Sequence, residues 1–389
     1  MKTTFLPRTV VVLGLVSFLN DTASEMVTPL LPIFLTATLG AGPAVVGLVE
    51  GVAEATASLL KLASGRMADK GGKHKALVIG GYSVSNLARP LIGLAYGWGW
   101  VLVLRFLDRV GKGVRTSPRD ALIAASIDSS RLGRAFGFHR ALDNAGAMLG
   151  PLCAWVLLSR NVGMGHVFLW SLVPGILVLC LLCFGLEAAP RQARIRKIPP
   201  LRWPALDHRL RGLILATGGL ALASAPEAFL VLWATDSGLR LSWVPLIWAA
   251  AGGVKAIVAG PAGSLSDRFG RTAVLLGGWS LRIVLLFSLA WSCRQTTPGL
   301  VWFLFLAHAA SLASTEGAER ALIGDFARSE ERATAFGLYH MVVGLAALPG
   351  ALLFGIIWQW FGAGVAFMTN GVLAALSVCF LVRNVYMTR

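Results

Sequence analysis

The sequence predicts an all-α membrane protein, with twelve transmembrane helices forming two six-helix halves related by a pseudo-two-fold axis along the membrane normal. Three observations carry this expectation. The chain is 56% hydrophobic and only 14% charged, with a mean hydropathy of +0.70, whereas a soluble domain carries roughly 25% charged residues. Apolar stretches long enough to span a bilayer recur along the chain, and 389 residues accommodate about twelve of them with short connections. The two halves also resemble each other in sequence.

The first span is read over 9–38. Lys2 and Arg8 ahead of an apolar run, followed by Thr22-Ala23-Ser24, imitate a secretory signal. The apolar pattern nevertheless runs on to Leu39, too far for a cleaved segment, and Pro29 and Pro32 are expected to break or kink the helix. Spans follow over 44–64, 76–96 and 98–107, the last extending past Arg105 toward a loop, and then over 135–158 and 166–186 to close an N-terminal bundle, 1–186. Residues 187–211, with four prolines and seven basic residues, read as a cytoplasmic linker. The C-terminal bundle, 212–389, holds spans over 212–234, 243–263, 273–292, 299–318, 334–357 and 362–382. Cys180-x-x-Cys183 has the spacing of a redox or zinc motif. It lies in an apolar run with no histidine nearby, so both cysteines read as small apolar residues.

Charge fixes the expected orientation. With the N-terminus in the cytoplasm, the cytoplasmic segments hold 26 lysines and arginines, and the external connections hold only Arg160, Arg240 and Arg294. This positive-inside bias places both termini in the cytoplasm of a cell inner membrane. Six bases and six acids fall within the spans, so the loops carry the whole net charge of +16. Anionic lipid headgroups account for that charge, and no nucleic-acid partner is implied. Trp98, Trp100, Trp243, Trp358 and Trp360 fall where interfacial anchors are expected.

The repeat is explicit in three places. Gly65-x-x-x-Asp69-Lys70-x-Gly72-Lys73 recurs as Gly263-x-x-x-Asp267-Arg268-x-Gly270-Arg271, displaced by 198 residues. Ala121-Leu122-Ile123 recurs at 321–323 and Ala135-Phe136-Gly137 at 335–337, both displaced by 200. Parallel six-helix repeats of this kind place a substrate site at their interface near the bilayer midplane.

At the two Gly-x-x-x-Asp loops the chain resembles the major facilitator superfamily. The stretch 65–77 matches that family's signature with Met67 for the usual leucine, and 263–271 matches its second copy. Gly146-x-x-x-Gly150-Pro151 is similar to the motif of drug and metabolite antiporters, although Cys153-Ala154 replaces a glycine pair. Arg105 occupies the family's span-4 arginine position, with Asp108-Arg109 in place of Gln-Gly. The resemblance implies loops that latch one access state. On the residues alone, the loop is a tight basic turn that holds topology, and Gly146, Gly150 and Pro151 serve close helix packing.

Ionisable residues inside a bilayer usually face a bundle interior or an aqueous cavity. Asp21 and Glu25, one turn apart, suit proton or substrate handling, or are paired as structural glue with Arg89 or Arg105. Glu54 lies near the middle of span 2, with Glu50 and Lys61 on its face. His139 and Asp143 share one face of span 5, with Arg140 and Asn144 beside it; this pattern fits a proton relay, two metal ligands or a structural role. Glu227 follows Pro226 in span 7, and Arg282, His308 and His340 complete the set in the second half. Arg115 and Arg119 are expected at a cytoplasmic gate, paired with Glu316, Glu319 or Glu330.

The sequence therefore predicts a secondary transporter, not an enzyme, that needs no cofactor or resident metal. It would act as a monomer, exporting a small organic compound in exchange for protons. A proton-coupled importer, or a carrier of a metal cation or complex, is the alternative.

Overall fold

The computed structural model describes residues 6–71, 74–127, 132–186, 203, 206–293, 297–327 and 332–386. Inside its helices, the side chains of 62, 65–71, 132, 133, 332–334, 385 and 386 lie outside the description.

The described chain is helical almost throughout. Helix α1 (Arg8–Val27) ends where Pro29 forbids its continuation; a turn follows, then α2 (Leu31–Ile33) and a π-helical turn, Phe34–Thr38. The break expected from Pro29 and Pro32 is thus present. Next come α3 (Pro43–Gly71), α4 (His74–Leu91), α5 (Trp98–Ala125) and α6 (Leu132–Ser159), then α7 (Met164–Trp170) and α8 (Leu172–Gly185). In the second half, α9 (His208–Leu222) is separated from α10 (Glu227–Asp236) by a non-helical step that ends at Pro226. Helices α11 (Val244–Phe269), α12 (Arg271–Ser292), α13 (Pro298–Phe326), α14 (Arg332–Phe361) and α15 (Ala363–Leu381) complete the chain.

Ten segments are long and apolar enough to cross a membrane. Charges interrupt the apolar runs of α4 and α5, and these two helices bring the spans to twelve. Span 4 differs from its expected extent. Helix α5 continues through Asp108, Arg109, Lys112, Arg115, Arg119 and Asp120, which the sequence placed at a cytoplasmic mouth, and it buries Asp108, Arg109 and Arg115. Their charges therefore belong to a helix core rather than to a loop.

The chain forms two compact units, one of Met1–Phe34 with Thr56–Ile198, the other of Leu35–Ala55 with Pro199–Arg389. Within the first, α1 packs along α6 and α8, and α4 along α5. Glycines set these distances. A Cβ on Gly150 would sit 2.5 Å from the Thr22 carbonyl oxygen and 2.9 Å from Glu25 Cβ, and one on Gly81 would sit 2.6 Å from the Gly111 carbonyl oxygen. Within the second unit, α11 and α12 pack along α13, and α9 along α14, where a Cβ on Gly350 would meet the Leu222 carbonyl oxygen at 2.6 Å. The start of α3 belongs to this unit: the Ala44 amide donates to Gln359 Oε1 at 3.3 Å.

The repeat is written into burial. Every buried residue of α5 has a buried counterpart 200 positions on in α13, from Val101 and Val301 to Ile123 and Ile323. One interfacial anchor is misplaced by the sequence. Trp98, Trp100, Trp243 and Trp360 are exposed, but Trp358 is buried against Phe229, Phe354 and Phe367, because aromatic partners on α10, α14 and α15 surround it. Trp233 is also fully buried. All five cysteines are free, and Cys180 and Cys183 are exposed.

Replacing Gly150 with valine should therefore destabilise the protein by about 1–3 kcal/mol, the usual range for overpacking. Gly137→Ala, at a helical position where a Cβ meets nothing, should leave the melting temperature of the detergent-solubilised protein no lower than the parent's.

Candidate functional site

In the first unit, α4 and α5 enclose a polar network built on one carboxylate. Asp108 Oδ1 accepts from Arg89 Nη2 at 2.9 Å, while Arg105 Nη1 and Arg109 Nε lie 3.5 and 3.7 Å from Oδ2. Arg89 Nη1 also donates to the Asn20 carbonyl oxygen and to Asn86 Oδ1, each at 3.4 Å. Asn86 Nδ2 reaches back to Asn20 Oδ1 at 3.3 Å, tying α4 to α1. Ser85 Oγ donates to the Asp108 carbonyl oxygen at 2.8 Å and accepts from Arg115 Nη1 at 2.6 Å. The Arg115 guanidinium lies 4.4 Å from the Tyr82 ring centroid. Arg89 and Arg105 thus both lie against Asp108. The sequence underrated Asp108 even though its spacing from Arg105 and Arg109 continues the helical face; the charge density there read as a loop.

A second cluster joins α1 to α6. Ser17 Oγ donates to Asp143 Oδ1, and His139 Nδ1 and Arg140 Nη1 each lie 3.7 Å from Asp143 Oδ2. Asn20 Nδ2 donates to Asp21 Oδ1 at 3.0 Å. Asp21 lies within electrostatic reach of Asp143, Lys112 and Arg115. Arg119 donates from Nη1 to Ser17 Oγ at 3.5 Å and from Nε and Nη2 to Asp120 Oδ1 at 3.0 and 2.9 Å. The acid that faces Asp21 from a neighbouring helix is therefore Asp143. Glu25 lies one turn further on, packed where Gly150 leaves room. Asn144 and Arg140 are exposed, as is Glu54. Among the described residues, no three His, Cys, Asp or Glu side chains come together in a set that could hold a metal ion.

In the second unit, Glu227 opens α10 and is ion-paired with Lys255 Nζ on α11. Arg282 on α12 and His308 on α13 are buried. Glu319 accepts from Trp279 Nε1 at 2.9 Å and from the Tyr339 hydroxyl at 3.2 Å, and Glu316 pairs with Arg320 at 2.6 Å. His340 is exposed, its ring 5.0 Å from that of Tyr339.

Of the predicted gating residues, Gly72 and Lys73 lie outside the described residues, as does Glu330, and so do the side chains of Asp69 and Lys70; Gly65 lies on α3. Lys75, in the same signature, donates to the Leu186 carbonyl oxygen. In the second copy, Gly263 and Asp267 lie on α11, and Gly270 joins α11 to α12 at φ 91°, a left-handed conformation that favours glycine. Arg268 lies over the Phe269 ring, 5.5 Å from its centroid. Arg271 pairs with Asp325 and donates to the Ala321 carbonyl oxygen at 3.1 Å, clamping the start of α12 to the end of α13.

Asp108→Asn should leave three guanidiniums buried without their carboxylate and cost about 3–5 kcal/mol. The expected outcome is a collapse in monodisperse yield, measured by size-exclusion chromatography; Asp120→Asn, at a half-exposed position, should leave the yield intact.

Known proteins match this architecture along its length. The family model described as Major Facilitator Superfamily matches residues 13–260 and 213–387. The chain is 32% identical over 380 residues to an uncharacterized MFS-type transporter of Methanocaldococcus jannaschii, covering 96% of this chain and 94% of the relative. It is 26% identical over 316 residues to the multidrug resistance protein MdtG of Escherichia fergusonii, covering 76% and 75%. Among solved structures, a bacterial homolog to the human lysosomal transporter Spinster, inward-facing and occupied, superposes with a TM-score of 0.79 at 17% identity over 96% of both chains. With twelve spans, an internal repeat and a family model that matches nearly its whole length, the chain is a multi-pass transporter that belongs to the Major Facilitator Superfamily.

Proposed function

We propose that this transporter exports a small organic compound in exchange for protons. It works by alternating access, as a monomer in the cell inner membrane with both termini in the cytoplasm. The observation that carries the reading is the juxtaposition of Asp21 and Asp143 across the α1–α6 contact, with Ser17, His139 and Arg119 around them. A proton taken by either carboxylate removes their mutual repulsion. The same proton alters the hold of Ser17 on Asp143, the hydrogen bond that links α1 to α6. A proton shifts a conformational equilibrium only through different affinities in the two states, and a carboxylate pair shared by two helices supplies that difference. The interruption of α1 after Val27 gives the helix a point at which to bend.

Export rather than uptake is supported by the name of the multidrug resistance relative. Orientation is supported by the concentration of lysine and arginine in the segments assigned to the cytoplasm, where they meet anionic lipid and not nucleic acid.

The test uses purified protein in liposomes with a trapped pH dye, screened with cationic, anionic and neutral compounds. Asp21→Asn and Asp143→Asn should each reduce substrate-dependent proton movement by about tenfold or more while membrane insertion is retained. Proton movement equal to that of the parent in both variants would refute the role of this pair.

Glu54→Gln provides a second prediction. Its side chain is exposed where Asp143 is buried, so the variant should keep more of the parent's proton dependence than Asp143→Asn, read as the proton movement that each supports in the same liposomes.

A further inference from the structure

The register shared by α5 and α13 lets the two units be compared position by position. Asp108 corresponds to His308, Arg105 to Phe305, Arg109 to Ala309 and Arg115 to Thr315, all buried. The facing helices align through Gly80-Gly81-Tyr82-Ser83 and Gly277-Gly278-Trp279-Ser280. In each copy the second glycine meets the partner helix, Gly81 at Arg115 and Gly278 at Thr315. This alignment sets Arg282 level with Ser85. Where the first unit holds a carboxylate among guanidiniums, the same frame in the second unit holds a guanidinium and an imidazole.

Those two side chains are deeply buried, Arg282 at 6% exposure and His308 at 3%. Arg282 Nε and His308 Nδ1 have no hydrogen-bond partner among the described residues. Glu319 and Tyr339 lie within electrostatic reach of Arg282, yet Glu319 already receives Trp279 Nε1 on one oxygen and the Tyr339 hydroxyl on the other. Glu227 is held by Lys255. His308 lies within electrostatic reach of both Arg282 and Lys255, and the half-exposed Lys255–Glu227 pair forms the wetter rim of the group. A buried cation with unused donors is costly inside a membrane. An arriving anion can accept from Arg282 Nε, and from His308 in its Nδ1-protonated tautomer, and a guanidinium fork matches a carboxylate in two parallel hydrogen bonds.

We propose that Arg282 and His308, with Lys255 at the rim, bind the carboxylate of an organic anion that this transporter carries. The inference rests on the reading of the chain as a carrier of small organic compounds and names their class. Lys255 exchanges Glu227 for the incoming anion, and the guanidinium of Arg282 anchors it at depth.

The experiment is thermal unfolding of the full-length protein in detergent, titrated with benzoate, its neutral analogue benzamide, the cation benzylammonium, and dihexanoyl phosphatidylglycerol as a soluble lipid headgroup. Benzoate alone should raise the melting temperature. Arg282→Gln should weaken its apparent affinity by about 10- to 100-fold, His308→Gln should weaken it less, and Arg282→Lys should fall between parent and Arg282→Gln. Should Arg282→Gln not fold, the comparison is read on Arg282→Lys and His308→Gln. Absence of protection by benzoate overturns the proposal. So does equal or greater protection by benzamide, benzylammonium or the lipid, or benzoate binding that the substitutions leave unchanged. Binding requires no pH gradient, so the outcome is separable from that of the exchange reading: loss of proton-coupled flux with benzoate binding intact refutes exchange alone.

Discussion

One carboxylate buried among guanidiniums sets the terms for the first unit. Asp108 sits within 4 Å of Arg89, Arg105 and Arg109, in helices that must cross hydrocarbon, where water cannot complete an unfinished polar group. The guanidiniums therefore share one carboxylate, and the network ties α4 to α5 through Ser85 and α4 to α1 through Asn86 and Asn20, while Arg89 Nε has no hydrogen-bond partner among the described residues. The glycines follow from the same demand. With Gly81 and Gly111 facing each other, the α4 and α5 backbones come close enough for Ser85 to reach the Asp108 carbonyl oxygen. Charge, close packing and helix register here are one arrangement, and it explains why α4 and α5 are the least apolar of the spans.

What could be read from the sequence was whatever local physics dictates. Length and apolarity located the spans, proline located the break before α2, and the spacing of His139 and Asp143 placed them on one face. Pairings that depend on tertiary contact were not legible. Asp21 and Glu25 are the obvious pair along the chain, yet the carboxylate facing Asp21 belongs to residue 143, on α6. The end of span 4 was missed for a related reason. A dense run of arginine and lysine ordinarily marks a cytoplasmic loop, but here Asp108 neutralises part of the charge and Tyr82 receives Arg115, so the helix continues. Trp358 was misread because position near a span end suggests an interfacial anchor, and only packing reveals the aromatic cluster around it.

The two units show how a duplicated frame can hold different chemistry. Helices α5 and α13 bury the same positions, so the packing problem was solved once and kept. The polar content at those positions differs between the units, and each leaves buried donors without a partner among the described residues. In the first unit α1, α5 and α6 bring acids together with bases; in the second, Asp108 is replaced by His308, and charge reverses between Arg119-Asp120 and Glu319-Arg320. The pairing changes with the reversal: Arg119 holds Asp120, whereas Arg320 pairs with Glu316 and Glu319 accepts from Trp279 and Tyr339.

This divergence bears on how coupling is built. If one unit held both the proton-binding acids and the substrate-binding cations, each would be the other's nearest partner, and the pair would close as a permanent salt bridge. The proposed assignment keeps Asp21 and Asp143 in one unit and Arg282 and His308 in the other: Ser17 and Asn20 donate to the acids, while Glu319 lies within electrostatic reach of Arg282 and Lys255 within that of His308. Proton and anion can then bias the same conformational equilibrium without competing for one side chain. Coupling between two ligands requires that each prefer one global state, not that they touch.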